Sequence, residues 1–221
     1  MIPKAVIFDW DVTLVNSVSA IHASLEKTFA RFGNLSQAWT LEDVSEWLRK
    51  SMRVSFKDLF GEHAKEAADY FYTQYSENHL KEVKLMPDAF ETLKILKKNK
   101  INLSVVSSKK GELVRKEASI LNIDDYFYRL IGSSDAKEDK PAIAPMSLAL
   151  EGKKLELGAD VWYVGDCGVD ILCARNSGCY SIIIGQTPAL IGETIHRPDK
   201  HFADHKAFQD FILSKSVLYK V

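Results

Sequence analysis

Asp9 and Asp11 stand one residue apart at the end of an apolar run, Ala5-Val6-Ile7-Phe8, and Thr13 follows two residues later. Four apolar residues in a row fit a fully buried strand. A buried strand that ends in two carboxylates is costly, because like charges repel and desolvation adds to the cost. A cation would remove that cost. Side chains at i and i+2 of an extended segment point the same way, so the pair could serve one metal ion or divide nucleophile and acid/base roles. The plain alternative is a strand end that turns into a helix cap. Three more polar groups follow apolar runs. Ser107-Ser108-Lys109 follows the run 101–106, Lys140-Pro141 closes a polar loop, and Gly165-Asp166 follows the run 161–164, with Asp170 one helical turn on.

The chemistry of this set follows from charge. Asp9, Asp11, Asp166 and Asp170 are hard oxygen donors with no His or Cys at ligand spacing. They suit Mg²⁺, which takes few carboxylates and completes its shell with water and phosphate oxygens. Lys140 is a point cation suited to a phosphate oxygen and to keeping a nucleophilic carboxylate ionised. Ser107 offers a hydroxyl. Phosphoryl transfer needs positioning and charge neutralisation above all, and a carboxylate can act as nucleophile through an aspartyl-phosphate.

Something must bring these groups together. From residue 86 onward, strand and helix alternate. Strands are expected near 101–106, 128–131, 161–164, 180–184 and, as a short edge, 201–203. Helices are expected to about residue 99 and over 111–121, 145–156, 169–177 and 205–214. Such alternation implies a parallel sheet with helices on both faces. Residues 16–85 read as helical throughout, with no convincing strand. Val18, Ile21, Leu25, Phe29 and Phe32 mark the apolar face of the first helix, with Gly33 as its stop. Trp39, Trp47, Tyr70, Phe71 and Tyr75 read as core of this helical stretch. The predicted architecture is α/β: a Rossmann-like parallel-sheet core, residues 1–15 and 86–221, interrupted by an inserted all-α helical cap, residues 16–85. In open sheets of this kind, ligands bind at the carboxyl ends of the strands, which is where every group named above falls.

Composition narrows the function. The chain has 221 residues, 46% of them hydrophobic, and a net charge of −1. There is no basic block for nucleic acid and no apolar run long enough to span a membrane. A cytoplasmic enzyme, monomer or homodimer, acting on a small phosphorylated substrate is the expectation. Cys167, Cys173 and Cys179 have neither zinc nor disulfide spacing and are expected as reduced packing residues. Arg49 and Arg53 lie between the predicted cap helices, where a guanidinium could grip a substrate anion or simply face water.

Phe8-Asp9-Trp10-Asp11-Val12-Thr13, Ser107, Lys140-Pro141 and Gly165-Asp166-Cys167-Gly168-Val169-Asp170 resemble, in order and spacing, the motifs of the haloacid dehalogenase-like superfamily. The inserted helices resemble the cap of its phosphoglycolate phosphatase-like branch. The resemblance implies Asp9 as nucleophile and Asp11 as general acid/base. It implies Thr13 as loop support, and Ser107, Ser108, Lys109 and Lys140 around the phosphoryl group. Mg²⁺ would sit on Asp9, the carbonyl of Asp11 and Asp166, with Asp170 a ligand through water or a support behind the ligands. A phosphomutase, or a non-catalytic relative that keeps the fold, is the alternative. There are two departures from the family pattern: Val12 stands where Gly is usual, and Lys140-Pro141-Ala142-Ile143-Ala144-Pro145 lacks the His-Pro common in the branch soon after the Lys-Pro pair. A β-branched residue is costly at positive φ, so a turn that is regular or slightly re-aimed is expected at Val12.

Overall fold

The computed structural model describes residues 2–33, 39–47, 52–78, 82–185 and 197–217. Its centre is β1 (Ala5–Phe8), buried at every position. Side chains alternate along a strand, so Val6 and Phe8 enter the apolar cluster on one face of the sheet, and Ala5 and Ile7 the cluster on the other. β1 pairs in parallel with β4 (Asn102–Lys110) on one side and β6 (Val161–Gly165) on the other. Beyond them lie β5 (Arg129–Ser133), β7 (Tyr180–Ile184) and β8 (Lys200–Phe202). The order is β5-β4-β1-β6-β7-β8, every pairing parallel. The chain therefore builds to one side of β1 and then to the other, the strand-order switch at which open sheets bind ligands.

Helices cover both faces. α5 (Ala89–Lys98), α6 (Gly111–Ile120) and α9 (His205–Val217) pack Leu93, Leu96, Val114, Ala118, Phe208 and Ile212 against Val6 and Phe8. α7 (Ala144–Leu150) and α8 (Gly168–Asn176) supply Met146, Ala149, Cys173 and Ala174 to the opposite face. The cysteines are free and buried, as expected.

Between β1 and α5 the chain forms α1 (Val18–Phe32), α2 (Leu41–Trp47), α3 (Met52–Phe60), a single 3₁₀ turn (Gly61–His63) and α4 (Ala64–Asn78). These helices share an apolar cluster of their own. Ile21, Leu25, Phe29, Trp47, Phe56, Phe71 and Tyr75 meet there, joined from the sheet side by Leu113 of α6. Gly33, at φ 80°, closes α1 with its N–H on the Phe29 carbonyl.

Three expectations need correction. Residues 16–85 are not wholly helical. β2 (Val15–Asn16) and β3 (Lys84–Leu85) form an antiparallel pair where the chain leaves and re-enters the sheet. Two residues are too few to show a strand period. The strand expected over 101–106 runs on to Lys110, with a register shift after Val106; an irregularity of this kind re-aims side chains near a site. The helix expected over 145–156 stops at Leu150, because Glu151 turns extended and Gly152 takes φ 85°.

Candidate active site

β1 ends in a tight loop. Asp9 N–H donates to the Val164 carbonyl at 2.8 Å, the N–H groups of Leu14 and Val15 both reach the Trp10 carbonyl at 2.9 Å, and Val12 N–H reaches the Val15 carbonyl at 2.8 Å. Closing this loop puts Val12 at φ 64°. The expectation that the turn, regular or slightly re-aimed, would spare Val12 a positive φ is thus overturned. The backbone takes the left-handed conformation that a glycine accepts freely, and the β-branched residue bears the strain.

Asp9 is 7% exposed and its Oδ1 accepts from Lys140 Nζ at 2.7 Å. Lys140 also donates to Asp170 Oδ1 at 2.8 Å and to the Tyr163 hydroxyl at 3.0 Å. The Tyr163 hydroxyl in turn donates to the Val106 carbonyl at 2.9 Å. Asp170 is 1% exposed. Its Oδ2 accepts from the N–H groups of Asp166 (3.0 Å) and Cys167 (3.1 Å) and from the Cys167 thiol (3.2 Å). Both Asp170 oxygens are therefore engaged inside the protein, and this residue supports the site from behind. Gly165 is required there, since a Cβ would collide with the Asp170 carboxylate.

Asp11 Oδ1 accepts from Lys109 Nζ at 2.7 Å and from the Ser17 hydroxyl. The remaining Lys109 donors go to Tyr75 at 3.0 Å and to the Glu117 carboxylate at 2.9 and 3.0 Å. An ammonium has three N–H groups, so those of Lys109 are all taken, and it is not turned to a phosphoryl group as expected. Thr13 is buried. Its hydroxyl donates to Asp166 Oδ1 at 3.2 Å, and its carbonyl accepts from His205 Nε2 at 2.8 Å. Ser107 Oγ accepts from Lys109 N–H at 3.1 Å.

Asp9, Asp11, Val12, Ser107, Ser108, Lys109, Lys140, Asp166, Cys167 and Val169 line one cavity of about 20 Å³, room for a water-sized group. Ser108 also borders a larger cleft of about 500 Å³ between the inserted helices and the sheet, which Lys57, Lys65, Tyr72 and Lys110 line in part. Asp9, Asp11, Ser107, Ser108, Lys109, Lys140 and Asp166 are thus brought together. Arg49 lies outside the described residues. Arg53 lies in α3, and its side chain is likewise outside them.

Sequence reasoning missed Glu117, Tyr163 and His205, and read Tyr75 as core only. Glu117 carried a legible signal. It falls four residues after Leu113 on the apolar face of α6, where a charged residue needs a partner. Tyr163 sits in an apolar strand run and gave no signal.

The model of the haloacid dehalogenase-like hydrolase family matches residues 6–184. The chain belongs to this family. It is 30% identical over 227 residues to the phosphoglycolate phosphatase of Haemophilus influenzae, covering 97% of this chain and 98% of that one. It is 28% identical over 184 residues to the pyrophosphatase PpaX of Halalkalibacterium halodurans, covering 82% and 83%. A solved haloacid dehalogenase-like hydrolase of Streptococcus pneumoniae has the same fold, with a TM-score of 0.80 at 23% identity over 95% of this chain and 98% of that one.

In this dehalogenase-like hydrolase, the donor set tests whether a metal ion fits. Burial pushes the Asp9 carboxyl up to about 7; Lys140 opposes that shift and Asp170 adds to it. Burial also raises Asp166 well above the ordinary carboxylate range, and the charges of Asp170 and Asp9 raise it further. Asp170 itself is lowered: burial opposes this, but Lys140 and the Cys167 donors prevail. Asp9, already bonded to Lys140, and the partly buried Asp166 are both held back from ionising, beside a third carboxylate that is already satisfied. A hard divalent ion fits Asp9 and Asp166. Asp166, Cys167 and Asp170 also lie within ligand distance of one another, but the Cys167 thiol is raised by burial and donates to Asp170, so neither of those two is open to a metal.

Proposed function

We propose that the chain is a Mg²⁺-dependent phosphomonoesterase acting on a small phosphorylated metabolite, 2-phosphoglycolate or a related acid or sugar phosphate. The observation that carries this is Asp9, held by Lys140 at the carboxyl end of the central strand with a second carboxylate, Asp11, on the same loop. Asp9 Oδ attacks phosphorus as the ester P–O bond breaks, and Asp11 gives its proton to the leaving alkoxide. Asp11, now a carboxylate, takes a proton from water, whose oxygen attacks the aspartyl-phosphate and releases Asp9 and phosphate. Ser107 and Ser108 face the transferred group, and Lys140 orients Asp9 and supplies positive charge. Thr13 fixes Asp166, and Asp170 fixes Lys140. Mg²⁺, held by Asp9, Asp166 and the Asp11 carbonyl, would neutralise charge on the phosphoryl oxygens. The helices of residues 16–85 serve as a cap, the leaving group occupies the cleft beneath it, and the β2/β3 pair forms the hinge. The left-handed Val12 supports catalysis over a non-catalytic relative, because the loop keeps the conformation a glycine would give it.

The test is phosphate release from 2-phosphoglycolate, sugar phosphates and inorganic pyrophosphate, with and without Mg²⁺, for the wild type and Asp9→Asn. Mg²⁺-dependent release that disappears in the variant is expected. Release that survives in Asp9→Asn overturns the mechanism, and absence of release from every compound overturns the activity.

A further inference from the structure

Glu117 has no place in the chemistry above, yet it is 0% exposed and both of its carboxylate oxygens accept hydrogen bonds beside the Asp11 loop. Its oxygens accept from Trp10 Nε1 at 2.6 Å, from the Tyr75 hydroxyl at 2.9 Å and from Lys109 Nζ. Lys109, 3% exposed, carries the arrangement on to Asp11 Oδ1. The Lys109 ammonium also lies 4.9 Å from the centroid of the Tyr75 ring. These residues come from separate parts of the fold. Trp10 sits between the two aspartates and belongs to the apolar cluster of the sheet. Tyr75 comes from α4 and belongs to the cluster of the inserted helices. Glu117 lies on α6, and Lys109 at the end of β4.

We propose that Tyr75 and Glu117 are positioning residues for Asp11, acting through Lys109, so that seating the inserted helices on the sheet sets the carboxylate that transfers protons. This rests on the phosphomonoesterase reading. The geometry leaves Lys109 little choice. Each of its three N–H groups has an acceptor, so its ammonium sits at one point among Asp11, Tyr75 and Glu117. Asp11 is then aligned by a cation whose place is fixed from both layers. If α4 lifts, Tyr75 leaves, Glu117 and Lys109 lose a shared partner, and the hold on Asp11 loosens. Trp10 ties the loop to the same carboxylate, so the residue between Asp9 and Asp11 is held by the same node.

The test compares two esters. 2-Phosphoglycolate leaves as an alkoxide that needs a proton from Asp11; 4-nitrophenyl phosphate leaves as a stable phenolate that does not. Hydrolysis of the aspartyl-phosphate needs Asp11 as base in both cases. Tyr75→Phe keeps the ring and removes the hydroxyl, and Glu117→Gln keeps the shape and removes the charge. For both variants, turnover of 2-phosphoglycolate should fall roughly tenfold with KM little changed, a fraction of the 10²–10⁴ that a general acid supplies. With 4-nitrophenyl phosphate, the first step should keep its rate while the second slows, giving a burst of nitrophenolate equal to the enzyme present. Equal losses on both esters without a burst, as a merely structural role would give, overturn the proposal, and so does wild-type behaviour in both variants. A wild type that cleaves neither ester refutes the phosphomonoesterase reading instead. The coupling is then decided by a double-mutant cycle of Tyr75→Phe with Asp11→Asn on denaturant midpoints. Non-additive shifts support it, and additive shifts overturn it.

Discussion

Replacing Val12 with glycine should make the protein more stable. Val12 sits at φ 64° in the loop between Asp11 and Thr13, its N–H bonded to the Val15 carbonyl at 2.8 Å. An L-residue held in the left-handed region costs roughly 1–2 kcal/mol, because its Cβ crowds the carbonyl oxygen, and β-branching adds to the crowding. Glycine removes that cost but is freer in the unfolded chain, which returns about 0.4–1 kcal/mol. Val12 is only partly buried, so loss of its side chain subtracts little. The net gain is about 1 kcal/mol, or about 2–4 °C in Tm for a chain of this size. The assay is thermal unfolding of wild type, Val12→Gly and Val12→Ala without metal. The order of stability should be Gly, then Ala, then Val, since alanine keeps the left-handed penalty but loses the branch. Phosphate release by Val12→Gly should stay within about twofold of wild type, because the loop already has the backbone a glycine would choose. A Val12→Gly protein that melts at or below the wild-type temperature refutes the strain argument.

Further outcomes follow from the buried charges. Asp170→Asn keeps the volume but gives up one acceptor oxygen and the negative charge facing Lys140; breaking such a buried pair should cost about 3–5 kcal/mol in a denaturant titration, and phosphate release should fall by at least about a hundredfold through the loss of orientation of Asp9. Asp9 is raised from an ordinary 3.8 to about 7 by burial, so the folded protein holds a proton that the unfolded chain has already lost. The stability of metal-free wild type relative to Asp9→Asn should therefore be greatest below pH 4 and fall as pH rises through about 7. Added Mg²⁺ should reverse the trend and stabilise more at pH 8 than at pH 5, and a relative stability that climbs with pH in the absence of metal contradicts the assignment. Burial lowers His205 below its usual 6.5, which favours the neutral ring, so its contribution is present above pH 6.5 and is lost as pH falls from there through its depressed folded value. His205→Ala orphans the Thr13 carbonyl and removes one partner of the Thr92 hydroxyl, which keeps the Asp88 carbonyl and the Gln209 amide. It should cost about 1–3 kcal/mol, seen as a lower denaturant midpoint at pH 8.

Much of this protein was legible in its sequence. The run Ala5 to Phe8 was apolar at every position, which fits a strand covered on both faces. The alternation after residue 86 then fixed a parallel sheet, and the rule that ligands meet strand carboxyl ends gathered Asp9, Asp11, Ser107, Lys140 and Asp166 before any distance was known. Residue type decides these matters, because burial and charge are local costs that each position must meet. Partnership between distant residues is different. Lys109 read as a phosphate ligand, and only packing showed its ammonium turned to Asp11, Tyr75 and Glu117, which lie 98, 34 and 8 residues away. Asp170 read as either a ligand through water or a support behind the ligands, and the tertiary structure favours the support, with both its oxygens given to Lys140 and to the backbone of Asp166 and Cys167. Val12 was visible as an anomaly, but its sign was not. The closure of the loop on Trp10 and Val15 requires a left-handed residue there, whatever side chain occupies the position. Sequence spacing sets which groups can reach a common edge, while the direction in which each one points is settled by competition among buried partners that only the folded chain brings within hydrogen-bonding distance.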